Sequence, residues 1–255
     1  METERFARVR AVFFDLDDTL CGYWDAAKAG LRRTFEAMPL PGLDADRSVL
    51  EWAAAFREFC PSLKRSEWYE RYLINGRTTR VELMRRTLLR VGVDDPARAE
   101  ALADRYGAER RAALRLFPGT RDVLEQLAAR FPLGLITNGP ADVQREEISD
   151  LELEPLFRWV FIEGELGFGK PDERVFRLAE EASGCSGPEI AFVGNSYRHD
   201  VRPALQAGWR TVWIRRPSDV PPSADPSAKP EGKPDGAPDA DAEIADLREL
   251  PALLP

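Results

Sequence analysis

Histidine is nearly absent from this chain, since His199 is the only one among 255 residues. Any site built on two or more histidines is therefore excluded, which removes the HExxH metalloproteases and the three-histidine zinc enzymes. The three cysteines are few, odd in number and far apart, so we expect neither a disulfide framework nor a four-cysteine zinc site. This cysteine usage is typical of a reducing compartment, and we expect a cytoplasmic protein.

Long apolar runs are also missing. No stretch approaches the roughly 18 apolar residues that a membrane-spanning helix needs, and the N-terminal residues METERFARVRAVFF resemble neither a signal peptide nor a membrane anchor. Acidic residues outnumber basic ones by 44 to 36, and the resulting formal charge of −8 disfavours binding to nucleic acid. We therefore expect no membrane and no nucleic acid among the partners, and either a monomer or a homodimer.

What the sequence does contain is a set of five short apolar runs that end at polar or glycine residues. They are Val9–Phe14, Pro132–Ile136, Trp159–Ile162, Ile190–Val193 and Thr211–Ile214. Runs of this kind are typical of strands buried on both faces of a parallel sheet. Amphipathic helical patterns separate the last four runs. The sequence therefore predicts an α/β fold with a doubly wound, Rossmann-like parallel sheet of five strands.

The first and second runs are separated by far more chain than one crossover helix needs. Residues 22–114 have apolar residues at helical spacing almost throughout. We therefore predict an all-α domain at 22–114, inserted into an α/β core made of residues 1–21 and 115–255. Within that core, residues 217–242 are rich in Pro, Asp, Ala, Ser and Gly and are predicted to be a disordered loop.

Two acidic residues, Asp15 and Asp17, follow the first apolar run. In doubly wound folds the carboxyl ends of the strands form the crevice in which ligands bind. Two carboxylates this close repel each other unless a cation or a shared proton compensates. An acidic turn, in which Asp17 or Asp18 caps the next segment, is the structural alternative. We favour a functional site because a carboxylate directly after a buried strand is costly to desolvate.

Anion-binding groups follow the second and third runs. Thr137 and Asn138 precede a helix that begins near Pro140, which would present a hydroxyl, an amide and free backbone N–H groups to an anion; a simple helix cap would look the same. Lys170 is one of only five lysines in the chain and lies between a glycine and a proline. It is a candidate anion partner, although most lysines are solvated surface residues.

The fourth run leads into Asn195 and, five residues later, Asp200. Oxygen donors without histidine or cysteine suit a hard cation such as Mg²⁺. The structural alternative for Asp200 is an acid in the first turn of a helix, where the helix dipole favours it.

Together the four segments resemble the haloacid dehalogenase-like hydrolases, which are chiefly phosphatases. The matching residues are Asp15-Leu-Asp17-Asp-Thr-Leu for the first motif of that family, Thr137 for the second, Lys170-Pro for the third and Gly194-Asn195-Ser196…Asp200 for the fourth. The order of the segments and their positions at strand ends also match. The inserted helices resemble the cap domain that some members carry between the first and second motifs.

The resemblance implies a Mg²⁺-dependent phosphatase that hydrolyses a small phosphate monoester through an aspartyl-phosphate. Asp15 would be the nucleophile. Asp17 would protonate the leaving oxygen and later deprotonate water. Lys170 would neutralise negative charge on the nucleophile and the phosphoryl group. Thr137 and Asn138 would bind the phosphate.

The implied metal site would consist of Asp15, the main-chain carbonyl of Asp17, Asn195 and Asp200. The family usually has an acid at the position of Asn195, so we expect weaker Mg²⁺ binding than in relatives with aspartate there. Substrate choice would depend on the cap, whose most polar break contains Arg77 and Arg80. Either arginine is a candidate substrate contact, and a solvated helix start is the alternative for both.

Two other functions stay open at this point: a 2-haloacid dehalogenase, and a non-catalytic binding protein on the same fold. Asp17 favours the phosphatase, because a halide leaving group needs no acid. A binding protein would need none of the residues that match the motifs.

Overall fold

The computed structural model describes residues 2–65, 67–225 and 227–255. Its centre is a parallel sheet in the order β3-β2-β1-β4-β5-β6. The strands are β1 (Ala11–Phe14), β2 (Leu133–Thr137), β3 (Trp159–Ile162), β4 (Ile190–Gly194), β5 (Arg210–Ile214) and β6 (Ala242–Ile244). The α-helices are α1 (Glu2–Phe6), α2 (Tyr23–Ala37), α3 (Ala45–Leu63), α4 (Trp68–Ile74), α5 (Gly76–Arg90), α6 (Pro96–Ala113), α7 (Thr120–Ala128), α8 (Ala141–Asp150), α9 (Glu163–Leu166), α10 (Glu173–Ser183) and α11 (Arg202–Gln206). Among the residues described, no helix is both long enough and apolar enough to cross a membrane.

The central strand β1 is buried on both faces, as its apolar run predicts. Phe14 packs into the core on one side of the sheet and Phe13 into the core on the other, because successive side chains of a strand point to opposite faces. Gly134 on β2 makes room for Phe13, since a Cβ at that glycine would lie 2.1 Å from the Phe13 ring. The two flanking strands, β2 and β4, therefore hold β1 in a fixed register.

The predicted doubly wound parallel fold is confirmed, and each of the five predicted strands is present. The sheet has a sixth strand that the sequence did not indicate. β6 has only three residues and pairs with β5 at one edge. Its short length and the Pro-rich segment before it hide the alternation by which strands are recognised.

Five helices, α2 to α6, lie between β1 and β2 and share a hydrophobic core of their own, to which Phe35, Trp52, Met84 and Leu102 contribute. Gly30 lets α2 and α6 pack closely, since a Cβ there would lie 2.8 Å from the backbone nitrogen of Arg110. The division into a cap at 22–114 and a core stays a prediction.

The Pro-rich segment 217–242 lies almost wholly outside helices and strands in its described part. It nevertheless contacts the rest of the molecule: the Tyr197 hydroxyl donates to the carbonyl of Pro238, and Asn195 contacts Asp219. The disorder of this segment stays a prediction.

Candidate active site

The carboxyl ends of β1, β2 and β4 surround a cavity of about 330 Å³, here called the acidic cavity. Its lining includes six of the nine site residues that the sequence proposed, namely Asp15, Asp17, Asn138, Lys170, Asn195 and Asp200. Thr137 and the two arginines lie outside this lining. Residues scattered over 186 positions of sequence thus meet at one edge of the sheet, where a doubly wound fold binds its ligand.

Asp15 sits at the end of β1 and is held from both sides. Lys170 donates from Nζ to Asp15 Oδ1 at 2.7 Å, and the Thr19 hydroxyl donates to Asp15 Oδ2 at 2.8 Å. Burial raises the pKa of Asp15 to about 6 against the opposing effect of Lys170, and the charge of Asp200 adds to the rise. These contacts fix the orientation of the carboxyl group and leave it facing the acidic cavity.

Lys170 is almost completely buried, with 1% of its surface exposed. Its Nζ lies 2.7 Å from Asp15 Oδ1 and 2.7 Å from Asp200 Oδ1. Burial alone would lower the pKa of Lys170, but the two carboxylates outweigh it and raise the pKa above its ordinary value. A cation therefore lies between two acids at the base of the cavity, and the predicted action of Lys170 on a phosphoryl group stays a prediction.

Asp17 lies two residues beyond the nucleophile candidate and faces a different set of groups. Gln144 donates from Nε2 to Asp17 Oδ2 at 3.2 Å. Burial raises the pKa of Asp17 well above its ordinary value, and the charges of Glu147, Asp15 and Asp18 raise it further. The raised pKa favours the protonated form of Asp17, which is the form that a proton donor needs.

The two β2-end residues differ in what they do. Asn138 forms a reciprocal pair with the backbone of Lys170: Nδ2 donates to the carbonyl at 2.7 Å, and Oδ1 accepts from the backbone N–H at 2.8 Å. The Thr137 hydroxyl instead donates to Gln144 Oε1 at 2.6 Å, and the residue is buried beneath the cavity. Asn138 therefore positions Lys170, while Thr137 would have to exchange its partner to contact a phosphate.

The surroundings of Asp200 show whether the residues at this edge of the sheet could bind a metal ion. Ser196 donates from its backbone nitrogen to Asp200 Oδ2 at 2.9 Å, and the buried Oδ1 pairs with the Lys170 ammonium at 2.7 Å and with no second donor among the described residues. Across the described part of the chain no three His, Cys, Asp or Glu side chains form a metal cluster. The available set is two carboxylates, Asp15 and Asp200, with the Asn195 amide oxygen and a main-chain carbonyl. Such all-oxygen sets, completed by water and phosphate, fit Mg²⁺.

The two arginines of the cap prediction lie in different surroundings. Arg77 is half-exposed and contacts Asp104 with two nitrogens, at 2.6 and 2.9 Å. Arg80 lines a second cavity that also reaches Asp17 and Gln144. The structure therefore brings Arg80 next to the catalytic candidates and leaves Arg77 at the surface.

Several residues in and beneath the cavity escaped the sequence analysis. Thr19 bridges Asp15 and Asn195, with its Oγ1 3.1 Å from Asn195 Oδ1; its place inside the first motif was the available signal. Gln144 follows Pro140 by one helical turn and links Asp17 to Thr137. Asp219 comes from the Pro-rich segment, where no pattern pointed to a role.

Comparison with known proteins gives a consistent result. A family model described as haloacid dehalogenase-like hydrolase matches residues 9–208. The chain is 42% identical over 134 residues to a phosphoserine phosphatase of Thermus thermophilus, covering 51% of this chain and 53% of that protein, so that match spans about half of the relative. It is 32% identical over 210 residues to a glyceraldehyde 3-phosphate phosphatase of Methanopyrus kandleri, covering 82% of this chain and 84% of the relative.

Two solved structures share the fold over nearly the whole chain. One is the putative hydrolase YfnB from Bacillus subtilis bound to magnesium, with a TM-score of 0.72 at 22% identity, covering 97% of this chain and 99% of the other. The second is a 2-haloacid dehalogenase from Pseudomonas syringae pv. Tomato, with a TM-score of 0.61 at 28% identity and coverage of 96% and 97%.

The match over most of the chain agrees with the meeting of the four strand-end segments in one crevice. The chain is an enzyme that belongs to the haloacid dehalogenase-like hydrolases.

Proposed function

We propose that this hydrolase is a Mg²⁺-dependent phosphomonoesterase that transfers the phosphoryl group of a small phosphorylated metabolite to Asp15 and then to water. One observation carries the proposal: a buried, lysine-paired carboxylate and a second carboxyl group, whose surroundings raise its pKa, lie two residues apart in the same cavity. The names of the relatives, which include phosphoserine and glyceraldehyde 3-phosphate phosphatases, support it.

Asp15 has the position of the nucleophile. Its carboxyl group faces the acidic cavity, and contacts from Lys170 and Thr19 hold it in one orientation. Attack of an Asp15 oxygen on phosphorus forms the aspartyl-phosphate and breaks the bond to the leaving oxygen. Lys170 balances the negative charge that accumulates on the carboxylate and the phosphoryl oxygens.

Asp17 has the surroundings of the acid and base. Its proton passes to the oxygen of the leaving alcohol in the first step. The resulting carboxylate then takes a proton from the water that attacks the phosphoryl group on Asp15, which restores the starting state. Gln144 fixes the orientation of the Asp17 carboxyl group in both steps.

The metal would be held by Asp15, Asp200, Asn195 and the main-chain carbonyl of Asp17. When bound, Mg²⁺ supplies positive charge to the phosphoryl oxygens and to the nucleophile. Asn138 holds the backbone of Lys170, so that the ammonium remains between Asp15 and Asp200. The 22–114 helices would close over this site as a cap.

We also propose a cytoplasmic setting, which rests on the small, odd number and wide spacing of the cysteines.

The test is turnover by the purified protein. We expect hydrolysis of p-nitrophenyl phosphate and of at least one phosphorylated metabolite in the presence of Mg²⁺, with loss of activity in EDTA. Asp15→Asn should abolish turnover. Asp17→Asn should slow the transfer of the phosphoryl group to Asp15 most for esters of poor leaving groups, because those need protonation.

The dehalogenase alternative is tested in the same assay. Halide release from a 2-haloacid without phosphate release from any ester would replace the proposal with dehalogenation. No turnover of either class by a folded protein would favour a binding protein.

A further inference from the structure

A second cavity of about 330 Å³ adjoins Asp17 on the side of the inserted helices. Seven aromatic side chains line this aromatic cavity, among them Trp24, Trp52, Phe56 and Tyr106. The rings also pack on one another: Trp52 stacks on Phe56 with centroids 5.2 Å apart, and Trp24 meets Phe56 edge-on at 5.6 Å. Such mutual packing gives the cavity fixed, apolar walls.

Two arginines line the aromatic cavity, and only one of them is neutralised. Arg110 donates to Glu147 at 2.5 Å, and both residues are buried. The Arg80 side chain makes no hydrogen bond or ion pair with any residue in the described part of the chain, and its Nε is buried without an acceptor. Burial and the nearby charge of Arg110 lower the pKa of Arg80, and the charge of Asp142 opposes this effect only in part.

A second unmatched donor lies in the same lining. Trp52 is 3% exposed, and its indole Nε1 has no acceptor among the described residues. Buried N–H groups without acceptors are unfavourable in apolar surroundings, so native structures rarely keep them without a partner. Two such donors, one of them cationic, call for a ligand that brings acceptor oxygens.

We infer that the aromatic cavity binds the leaving group of the substrate, and that this group has an aromatic-sized apolar body and a carboxylate that pairs with Arg80. This inference rests on the proposed function, because it takes Asp17 as the acid that protonates the leaving oxygen at the junction of the two cavities. A polyol such as a sugar is disfavoured, since most of its hydroxyl groups would lose water against aromatic walls and the two unmatched donors could pair with only a few of them.

The first test compares para-carboxyphenyl phosphate with phenyl phosphate, which differ only in the carboxylate. We expect wild type to prefer the carboxylated ester by about tenfold or more in kcat/KM, the size of a charge-assisted hydrogen bond. Arg80→Ala should reduce that ratio to about one, and Arg80→Lys should restore part of it. Arg105→Ala removes a half-exposed arginine from the same group of helices, where it pairs with Glu109, and should keep the wild-type ratio.

The second test needs no turnover. Calorimetry would compare para-carboxybenzylphosphonate with benzylphosphonate, neither of which can be hydrolysed at phosphorus. We expect about tenfold tighter binding of the carboxylated compound to wild type and equal binding to Arg80→Ala. Trp52→Phe, which removes the N–H and keeps an aromatic ring, should lose part of the difference. Thermal melting of each variant shows that it is folded.

These tests separate the two claims. If no phosphate ester is hydrolysed but the carboxylated phosphonate binds selectively through Arg80, the proposed function fails and the ligand class stands. If esters are hydrolysed and the carboxylate makes no difference in wild type, or a sugar phosphate has the higher kcat/KM, the ligand class is overturned. Failure of both phosphonates to bind overturns it as well.

Discussion

Asn195 donates a hydrogen bond from Nδ2 to Asp219 Oδ2 at 2.7 Å, across 24 positions of sequence. Burial raises the pKa of Asp219, and the negative charge of Asp15 adds to the rise. An amide thus stands where the family pattern has an acid, and a carboxylate from the segment after β5 lies directly against it. Asp219 therefore brings a carboxyl group to this side of the acidic cavity, although the motif position itself is neutral.

Because Asn195 contacts Asp219, the variant Asn195→Asp should change both the stability of the metal-free protein and its affinity for Mg²⁺. The variant would place a second carboxylate against Asp219, and the repulsion should lower the melting temperature in EDTA by about 2–4 °C for each kcal/mol lost. The added charge should also strengthen Mg²⁺ binding, measured by calorimetry. The double variant Asn195→Asp with Asp219→Asn restores an amide–carboxylate pair, so it should regain the metal-free stability. An unchanged Mg²⁺ half-saturation in Asn195→Asp would contradict the assignment of position 195 to the metal set.

Gly194 is required by the position of Asp200. A Cβ at residue 194 would lie 2.5 Å from the Asp200 carboxyl group, so Gly194→Ala must displace that side chain. We expect at least tenfold weaker Mg²⁺ binding and a lower melting temperature, because Asp200 would lose its place beside Lys170. Gly232→Ala is the matched control, since nothing lies within 4 Å of a Cβ there. Equal behaviour of the two variants would show that the Asp200 position is not constrained by the glycine.

The Arg110–Glu147 pair should be a major determinant of stability. Both side chains are buried, at 6% and 3% exposure, so Glu147→Gln would leave a buried guanidinium without its counter-charge. Urea denaturation should show a loss of about 3–5 kcal/mol in the free energy of unfolding. Glu146→Gln removes the neighbouring exposed partner of Arg111 and should cost about 1 kcal/mol or less. A similar loss in the free energy of unfolding in both variants would show that burial does not make the Arg110–Glu147 pair more important than the exposed pair.

Asp18 should make the metal-free protein less stable as the pH rises. Burial raises its pKa to about 8 from an ordinary value of 3.8, and Asp219 contributes to the rise. An acid whose pKa is higher in the folded state favours folding fully below pH 3.8, and that contribution is lost as the pH rises through 8. Asp18→Asn keeps an acceptor for the Trp24 N–H and tolerates the backbone φ of 57°. Its advantage in melting temperature over wild type should grow from pH 4 to pH 8 in EDTA; parallel curves would contradict this.

The sequence predicted those site residues that come after the predicted strands. Asp15, Lys170 and Asp200 converge because parallel strands bring their carboxyl ends to one edge, so apolar runs and the residues after them were enough. The hydrogen-bond partner of a side chain could not be predicted in this way. The Thr137 hydroxyl bonds Gln144, and Arg77 bonds Asp104, through tertiary contacts that no spacing encodes.

Asp219 illustrates the limit most clearly. Its segment has no periodicity, and the hydrogen bond that joins it to Asn195 is a tertiary contact that residue spacing does not encode. The unmatched donors of Arg80 and Trp52 are likewise properties of packing, because a missing partner can be recognised only when all neighbours are placed.

The role of Asp15 as the nucleophile is tested most directly by locating the residue that is phosphorylated during turnover. p-Nitrophenyl phosphate would be mixed with the Asp17→Asn variant and Mg²⁺. The p-nitrophenolate leaving group needs no proton, so the aspartyl-phosphate should still form, whereas its hydrolysis should be slow because the variant lacks the base. Acid quench and peptide mass spectrometry should then find one phosphoryl group on the peptide that contains Asp15, and none in Asp15→Asn. Release of p-nitrophenol with no phosphoryl group on that peptide, or with the phosphoryl group on another residue, would contradict the role of Asp15 as the nucleophile.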